Sequence, residues 1–91
     1  MDNVAAYAAL VREMEAVRQW PAQALLACVD GPALVCELQR DEGPLELENR
    51  VCWHDAAQTA LRLEGHARGA SPWHHQHLQE TMIVRLHELD G

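Results

Sequence analysis

The densest group of residues that could do chemistry is a histidine-rich stretch, PWHHQHLQET, at residues 72–81. If this stretch forms a β-strand, His75 and His77 point to the same face, because side chains alternate along a strand. Imidazole nitrogens are good ligands for zinc and nickel. A third ligand is available from His66, which we place in the preceding loop, or from Glu80. The stretch therefore predicts a candidate zinc or nickel site at His75, His77 and His66.

The same histidines have two other interpretations. They can be the solvated end of an exposed strand, with Trp73 packed over the edge of the sheet. They can also form a pH-sensitive interface, because histidine titrates near neutral pH. We favour the solvated strand, in which case the protein needs no cofactor.

A second group, Cys52-Trp53-His54, places a thiol and an imidazole on the same face of a predicted strand. A nearby cation lowers the pKa of a thiol and makes it a better nucleophile. The acids Glu46 and Glu48 share this face and act in the opposite direction. We therefore interpret the group as part of a polar strand face and expect no enzymatic activity. The chain also has no lysine for Schiff-base chemistry and no glycine-rich phosphate motif.

A third set of residues suggests binding to another protein. Glu46 and Glu48 form an acidic ladder that could dock a basic protein or peptide. Trp20 and Trp73 are candidates for a partly exposed surface, and tryptophan often contributes much of the energy of a protein interface. In size, charge and pattern the chain resembles small neutralising proteins and acidic dimeric chaperones of secreted proteins, a likeness of class only.

The charge of the chain limits its partners. Fourteen acids against seven basic residues give a net charge of −7, and all seven basic residues are arginines spread along the chain. Nucleic acids and anionic membrane surfaces need a basic patch, so neither is expected to bind. No apolar run approaches the ~20 residues of a membrane span. Three cysteines without CxxC spacing are typical of a reducing compartment, and we expect a cytoplasmic protein.

The elements that position these residues begin with a helix at 3–19. Its predicted apolar stripe recurs at spacings of three and four, is widened by Leu10, and comprises Val4, Tyr7, Val11, Met14 and Val17 or Arg18. Pro21 ends the helix, because the residue before a proline avoids the helical region. Residues 24–64 then show period-two alternation interrupted by turn signals, which predicts antiparallel strands. The first is a short apolar run at 24–29, and the clearest alternation is at 45–53, with Leu45, Leu47, Asn49, Val51 and Trp53 on the apolar face.

The C-terminal part is less regular. Residues 65–72 contain two glycines and a proline and are predicted to be a loop. Residues 73–89 fit either a strand or a helix, and the β-branched Thr81, Ile83 and Val84 favour the strand. In the strand, the inward residues are Leu78, Met82, Val84 and Leu86.

The 91 residues therefore predict a single domain at 1–91 with an α+β fold. Its N-terminal helix packs on an antiparallel four- to five-stranded meander sheet. A chain of this size buries only about two-thirds of its unfolded surface, which favours a homodimer. We predict a small acidic, non-enzymatic interaction module, such as an adaptor, a chaperone-like protein or a neutralising protein. The alternative is a small metal-binding protein that uses the histidine-rich strand.

Overall fold

The computed structural model describes residues 3–40, 43–69 and 77–88, and these form two helices and one four-stranded sheet. The sheet is antiparallel with strand order β1-β2-β3-β4, so each strand pairs with its neighbour in the chain. This confirms the predicted α+β fold with a meander sheet. The elements are α1 Asn3–Arg18, α2 Ala22–Ala27, β1 Leu34–Leu38, β2 Leu45–Trp53, β3 Ala60–Gly69, β4 His77–Arg85 and a 3-10 turn Leu86–Glu88.

Helix α1 lies on one face of the sheet, which we call the helix side, and contacts β2, β3 and β4. Its buried stripe recurs every three or four residues and comprises Ala6, Leu10, Met14 and Val17. The predicted stripe was partly wrong, because Val4 and Tyr7 are 78% and 40% exposed. The small Ala6 faces the sheet instead, which lets the start of the helix come close to it.

Strand β2 has the clearest alternation, as predicted from its sequence. Its odd-numbered residues from Leu45 to Val51 are buried on the helix side, while Glu46 and Arg50 are exposed on the other face. One buried member, Asn49, is polar, and its Oδ1 has no hydrogen-bond partner among the described residues. Trp53, at the end of the strand, is half-buried against the core.

The predicted strand at residues 24–29 was wrong, because the segment after Pro21 is helical. Residues Ala22–Ala27 form helix α2, whose Leu25 is fully buried. Alanine, glutamine and leucine are strong helix formers, and six residues are too few for periodicity to separate a helix from a strand. The chain then returns to the sheet at Val29, which forms a parallel bridge with Val51.

The predicted loop at 65–72 is also corrected, because β3 continues to Gly69. Gly65 lies in the middle of this strand and beneath α1. A glycine inside a strand often marks the close approach of another element, so its presence did not signal a loop here. Residues 70–72 lie outside the described residues.

The final segment is a strand, which settles the choice between strand and helix for the part that is described. Strand β4 pairs with β3 from Ala60↔Arg85 to Arg68↔His77. Its residues Leu78, Met82 and Val84 lie on the helix side, in agreement with the predicted alternation. The turn Leu86–Glu88 ends the described part of the chain.

Candidate interaction surfaces

The face of the sheet opposite α1 is not covered by any described element, and we call it the open face. Side chains alternate along each strand, so the register places one set of residues on it. The members with described side chains are Val35, Glu37, Glu46, Glu48, Arg50, Cys52, Ala60, Arg62, Glu64, His66, Arg68, Gln79, Thr81, Ile83 and Arg85. Four are glutamates and four are arginines, so the described part of this face is close to neutral although the chain is acidic.

The charges on the open face are paired both across and along the strands. Within β3, Arg62 Nε is 2.9 Å from a Glu64 oxygen. Glu46 lies opposite Arg68, and Arg50 lies opposite Glu64. Arg68 Nη1 is 3.6 Å from a Glu46 oxygen and 3.2 Å from a Glu48 oxygen. Arg50 Nη2 is 3.2 Å from the other Glu48 oxygen, and the Glu48 side chain is only 12% exposed. Opposite charges on facing strands stabilise a sheet by about 0.2–1 kcal/mol per pair.

These pairs change the interpretation of the predicted acidic ladder. Glu46 and Glu48 do lie on one face of β2, as the alternation predicted. Their carboxylates are compensated by Arg50 and Arg68 from the same chain, so they attract a distant basic partner less than an isolated ladder would. The excess of acid must therefore lie away from the open face, for example at Glu80 on the helix side.

The structure describes one of the two predicted interface tryptophans. Trp20 follows α1 and is 37% exposed, which is consistent with a surface role. Trp73 lies outside the described residues, as does His75 of the predicted metal site.

The remaining predicted metal ligands lie on adjacent strands. His66 is half-buried on the open face of β3 and pairs with Gln79 in β4. His77 begins β4, where its backbone pairs with Arg68, and its side chain is outside the description. Among residues 3–40, 43–69 and 77–88 no group of three or more histidine, cysteine or acidic residues could hold a metal ion. The predicted trio includes side chains beyond that set and stays a prediction.

The structure does not place Cys52 and His54 on one strand face. The Cys52 thiol donates to the Arg62 carbonyl oxygen at 3.6 Å. Strand β2 ends at Trp53, so His54 leaves the strand and is exposed in the following turn. The described contacts therefore give Cys52 a structural partner on the open face.

One polar contact that the sequence did not predict joins α1 to the last strand. The Tyr7 hydroxyl donates to Glu80 Oε2, and the Thr81 backbone N–H donates to Glu80 Oε1 at 3.0 Å. These bonds stabilise the ionised carboxylate, so the pKa of Glu80 is lowered, with the Tyr7 hydrogen bond as the main cause. The same hydrogen bond raises the pKa of Tyr7. The available signal was an acid at an inward position between Leu78 and Met82.

Two shallow hollows lie beside these groups. One, of about 180 Å³, is lined by Glu64, His66, Gln79, Glu80 and Thr81. The other, of about 270 Å³, is lined by Glu37, Pro44, Glu46, Arg68 and Gly69. Both are smaller than the roughly 300–1,000 Å³ of a typical pocket for a small molecule. These two hollows are therefore better suited to single side chains of a partner than to a whole ligand.

Comparison with protein-family models, with curated proteins and with solved structures finds no match for this chain. No helix in the described part of the chain is long and apolar enough to cross a membrane. The function must therefore be inferred from the surfaces described above.

Proposed function

We propose that this protein is a small acidic, non-enzymatic protein-interaction module that acts as a homodimer. The observation that carries the proposal is the charge pattern of the open face. This face presents acids and arginines in an order that is complementary to itself. A C2 dimer requires this property, because the same patch must contact its own copy.

The complementarity follows from the register of β2 and β3. Consider two copies whose open faces are in contact and are related by a two-fold axis that runs parallel to the strands, between β2 and β3. In this dimer β2 of one copy lies over β3 of the other. Because Glu46 and Arg68 share one row, Glu46 then faces Arg68 of the partner copy. By the same rule, Arg50 faces Glu64 of the partner copy. Acids therefore meet arginines in both rows, from both copies at once.

The energetics predict a moderate and salt-sensitive dimer. A standard interface buries about 800 Å² on each partner. The open face measures roughly 30 Å along β2, β3 and β4 and roughly 19 Å across the four strands, and β1 is shorter at five residues, so its flat area lies below that standard value. Exposed ion pairs contribute about 0–1 kcal/mol each, and salt screens them within a Debye length of about 8 Å at 0.15 M. We therefore expect the dimer to weaken as ionic strength rises.

The decisive test is a charge exchange between copies. In Arg50→Glu, position 50 faces Glu64 of the partner copy with like charge, and in Glu64→Arg, position 64 faces Arg50 in the same way. Each variant alone should be monomeric in native mass spectrometry and sedimentation. An equimolar mixture of the two should form a heterodimer, because each changed residue then meets its opposite. Pairing within one chain cannot produce this rescue.

Control variants place the same changes on α1. Arg12→Glu and Glu13→Arg alter the net charge equally but lie away from the open face. Both should remain dimeric. The proposal is wrong if the wild type is monomeric at low salt, or if the mixture of the two face variants contains no heterodimer.

Within this class, the protein would act as an adaptor, a chaperone-like protein or a neutralising protein for a basic protein or peptide. The net charge of −7 supports a basic partner, because opposite net charge speeds encounter. Trp20 and Trp73 remain the proposed aromatic contacts. We also propose a cytoplasmic location, which the free thiols of Cys28, Cys36 and Cys52 support.

A second candidate function is binding of zinc or nickel through His66, His75 and His77. One observation favours it: β3 and β4 pair so that the backbones of His66 and His77 lie on adjacent strands, two residues out of register. Native mass spectrometry of protein purified without chelator tests both candidates, because it reports the subunit count and any bound metal together.

A further inference from the structure

The outer edge of β4 carries backbone groups that no other described strand pairs with. The bonds from His54 N to Ala60 O and from Leu86 N to Thr59 O fix the phase of the sheet. In an antiparallel strand, the N–H and the C=O of one residue point to the same neighbouring strand. The even-numbered residues of β4 therefore hydrogen-bond to β3. Odd-numbered residues such as Gln79, Thr81 and Ile83 therefore point to the edge. No described element covers this edge.

Glu80 occupies the centre of this edge. Its Oε1 accepts the Thr81 N–H, which is one of the edge donors, while its Oε2 is held by the Tyr7 hydroxyl. An inward-pointing charge is one of the ways in which natural proteins prevent edge strands from pairing with the wrong partner. The carboxylate thus restricts which strand can be added here.

A second copy of this chain is a poor occupant of the edge. In an antiparallel two-fold pairing of β4 with β4, helix-side residues of one copy meet helix-side residues of the other. Those residues are Leu78, Glu80, Met82 and Val84, and none of them is basic. Among these four described residues, each pairing places the Glu80 carboxylate beside an apolar side chain or another carboxylate, which costs desolvation without a matching charge.

We propose that the edge of β4 binds an extended segment of a partner protein as a fifth strand, with a lysine or arginine of that segment paired to Glu80. The inference rests on the proposed role as an interaction module and specifies the chemistry of its partner. On binding, Glu80 exchanges the Thr81 N–H for the partner's cation, and the partner's carbonyl oxygen accepts the released N–H. Strand addition of this kind takes affinity from the main chain and specificity from alternate side chains.

The surroundings of the edge define the rest of the segment. On the helix side Val4 and Tyr7 are 78% and 40% exposed, and Met82 is partly buried. The partner residues two positions before and after the cation point to this side and are therefore expected to be apolar. On the open face Thr81 and Gln79 favour small polar residues, while Ile83 is 37% exposed. The partner segment is therefore expected to alternate apolar and polar residues and to carry one lysine or arginine at its centre.

The test uses the capped peptide TVTVTKTVTVT, whose valines and lysine share one side. Two matched peptides replace the lysine by glutamate (TVTVTETVTVT) or add prolines that remove backbone donors (TVTVPKPVTVT). We expect the lysine peptide to bind the wild-type protein about tenfold more tightly than the glutamate peptide, and the proline peptide not to bind. Binding should slow hydrogen exchange at the amides of Gln79, Thr81 and Ile83.

The variant Glu80→Lys should reverse the preference, so that the glutamate peptide becomes the tighter ligand. Glu15→Lys, which makes the same change on α1, should leave the preference as in the wild type. The monomeric variant Arg50→Glu should still bind the lysine peptide, which separates this inference from the dimer proposal. Glu80→Val removes the blocking charge and should form assemblies larger than those of the wild type.

Three outcomes would overturn the inference. The Glu80→Lys variant could bind the lysine peptide more tightly than the glutamate peptide, as the wild type is expected to do. The lysine peptide could bind without slowing hydrogen exchange at the amides of Gln79, Thr81 and Ile83. The Glu80→Val variant could keep the wild-type mass at every concentration, in which case the carboxylate does not guard the edge.

Discussion

Met14 of α1 lies directly over Gly65 of β3: a Cβ built on the glycine would stand 2.4 Å from the methionine sulfur and 2.9 Å from its Cγ. The helix can pack this closely only because residue 65 has no side chain. Met14 is fully buried, so it cannot move aside without displacing other core atoms.

Replacing this glycine should therefore overpack the core. We expect Gly65→Ala to lower the free energy of unfolding by about 1–3 kcal/mol, because an added methyl group forces side chains and backbone to shift. In a domain of this size each kcal/mol corresponds to a fall of about 4–8 °C in Tm. Thermal or urea unfolding followed by circular dichroism measures the change.

Gly69→Ala provides the matched control, because a Cβ there would meet nothing within 4 Å. Its Tm should stay near that of the wild type. The double variant Gly65→Ala, Met14→Ala should lose less free energy of unfolding than the sum of the two single variants, because the cavity left by Met14→Ala accommodates the added methyl group of Gly65→Ala. Strictly additive effects would show that the contact does not limit the helix position.

The turn between β2 and β3 predicts a pH dependence. Asp55 Oδ1 accepts the Thr59 N–H at 2.8 Å and the Ala60 N–H at 3.3 Å, and its Oδ2 accepts the Thr59 hydroxyl. These bonds, the hydroxyl first, lower the pKa of Asp55. A carboxyl with a lowered folded-state pKa stabilises the protein above its unfolded pKa, and this contribution is lost as the pH falls through the folded pKa.

The variant Asp55→Asn should therefore be less stable than the wild type at pH 7, and the two Tm values should converge as the pH falls below about 4, the unfolded pKa of aspartate. Asp30→Asn, in the exposed turn after α2, should follow the wild-type profile. A constant gap between Asp55→Asn and the wild type across this range would contradict the assignment.

Tyr7 offers a direct spectroscopic test of its bond to Glu80, because it is the only tyrosine in the chain. Ionising its phenol breaks the bond and places two negative charges together, so its pKa is raised above the ordinary value of about 10. Tyrosinate absorbance should appear at higher pH than in the unfolded chain. The stabilisation is present below the unfolded pKa and is lost as the pH rises through the folded one.

In Glu80→Gln the titration should move back toward the ordinary value, because the charge that opposes ionisation is gone. Glu15→Gln, elsewhere on α1, should leave it unchanged. A tyrosinate curve that is identical in the wild type and in Glu80→Gln would show that the two side chains do not interact in solution.

The second candidate function, metal binding by the histidine-rich stretch, predicts that the stability of the protein depends on zinc or nickel. In that case the protein should retain stoichiometric zinc or nickel, and chelator should lower its Tm, since a ligand of the native state stabilises it. The double change His75→Ala and His77→Ala should abolish both effects. A metal-free dimer whose Tm is unaffected by chelator and by these substitutions would exclude this site.

Much of the fold could be predicted from local patterns. The period-two alternation of β2 fixed its buried face, and Pro21 marked the end of α1 within two residues. The pattern failed at α2, because six residues hold too little periodicity to compete with a run of apolar residues. It failed again at Gly65, where a glycine usually taken as a loop signal instead accommodates a helix.

The candidate surfaces depend on contacts that no local pattern contains. Compensation of Glu48 by Arg68 requires the register of β2 against β3, which alternation leaves open by steps of two residues. The bond between Tyr7 and Glu80 joins residues at opposite ends of the chain. The sequence could mark Glu80 as an acid at an inward position, but not name its partner.

The order of elements along the chain has a consequence for synthesis. Every strand pairs with the strand before it, so the sheet can grow one hairpin at a time. Helix α1 is different, because it packs on β2, β3 and β4, which all leave the ribosome after it. Until β3 emerges with Gly65, the stripe of Leu10 and Met14 stays exposed on the nascent chain. Docking of the first helix therefore has to wait for the third strand of the sheet.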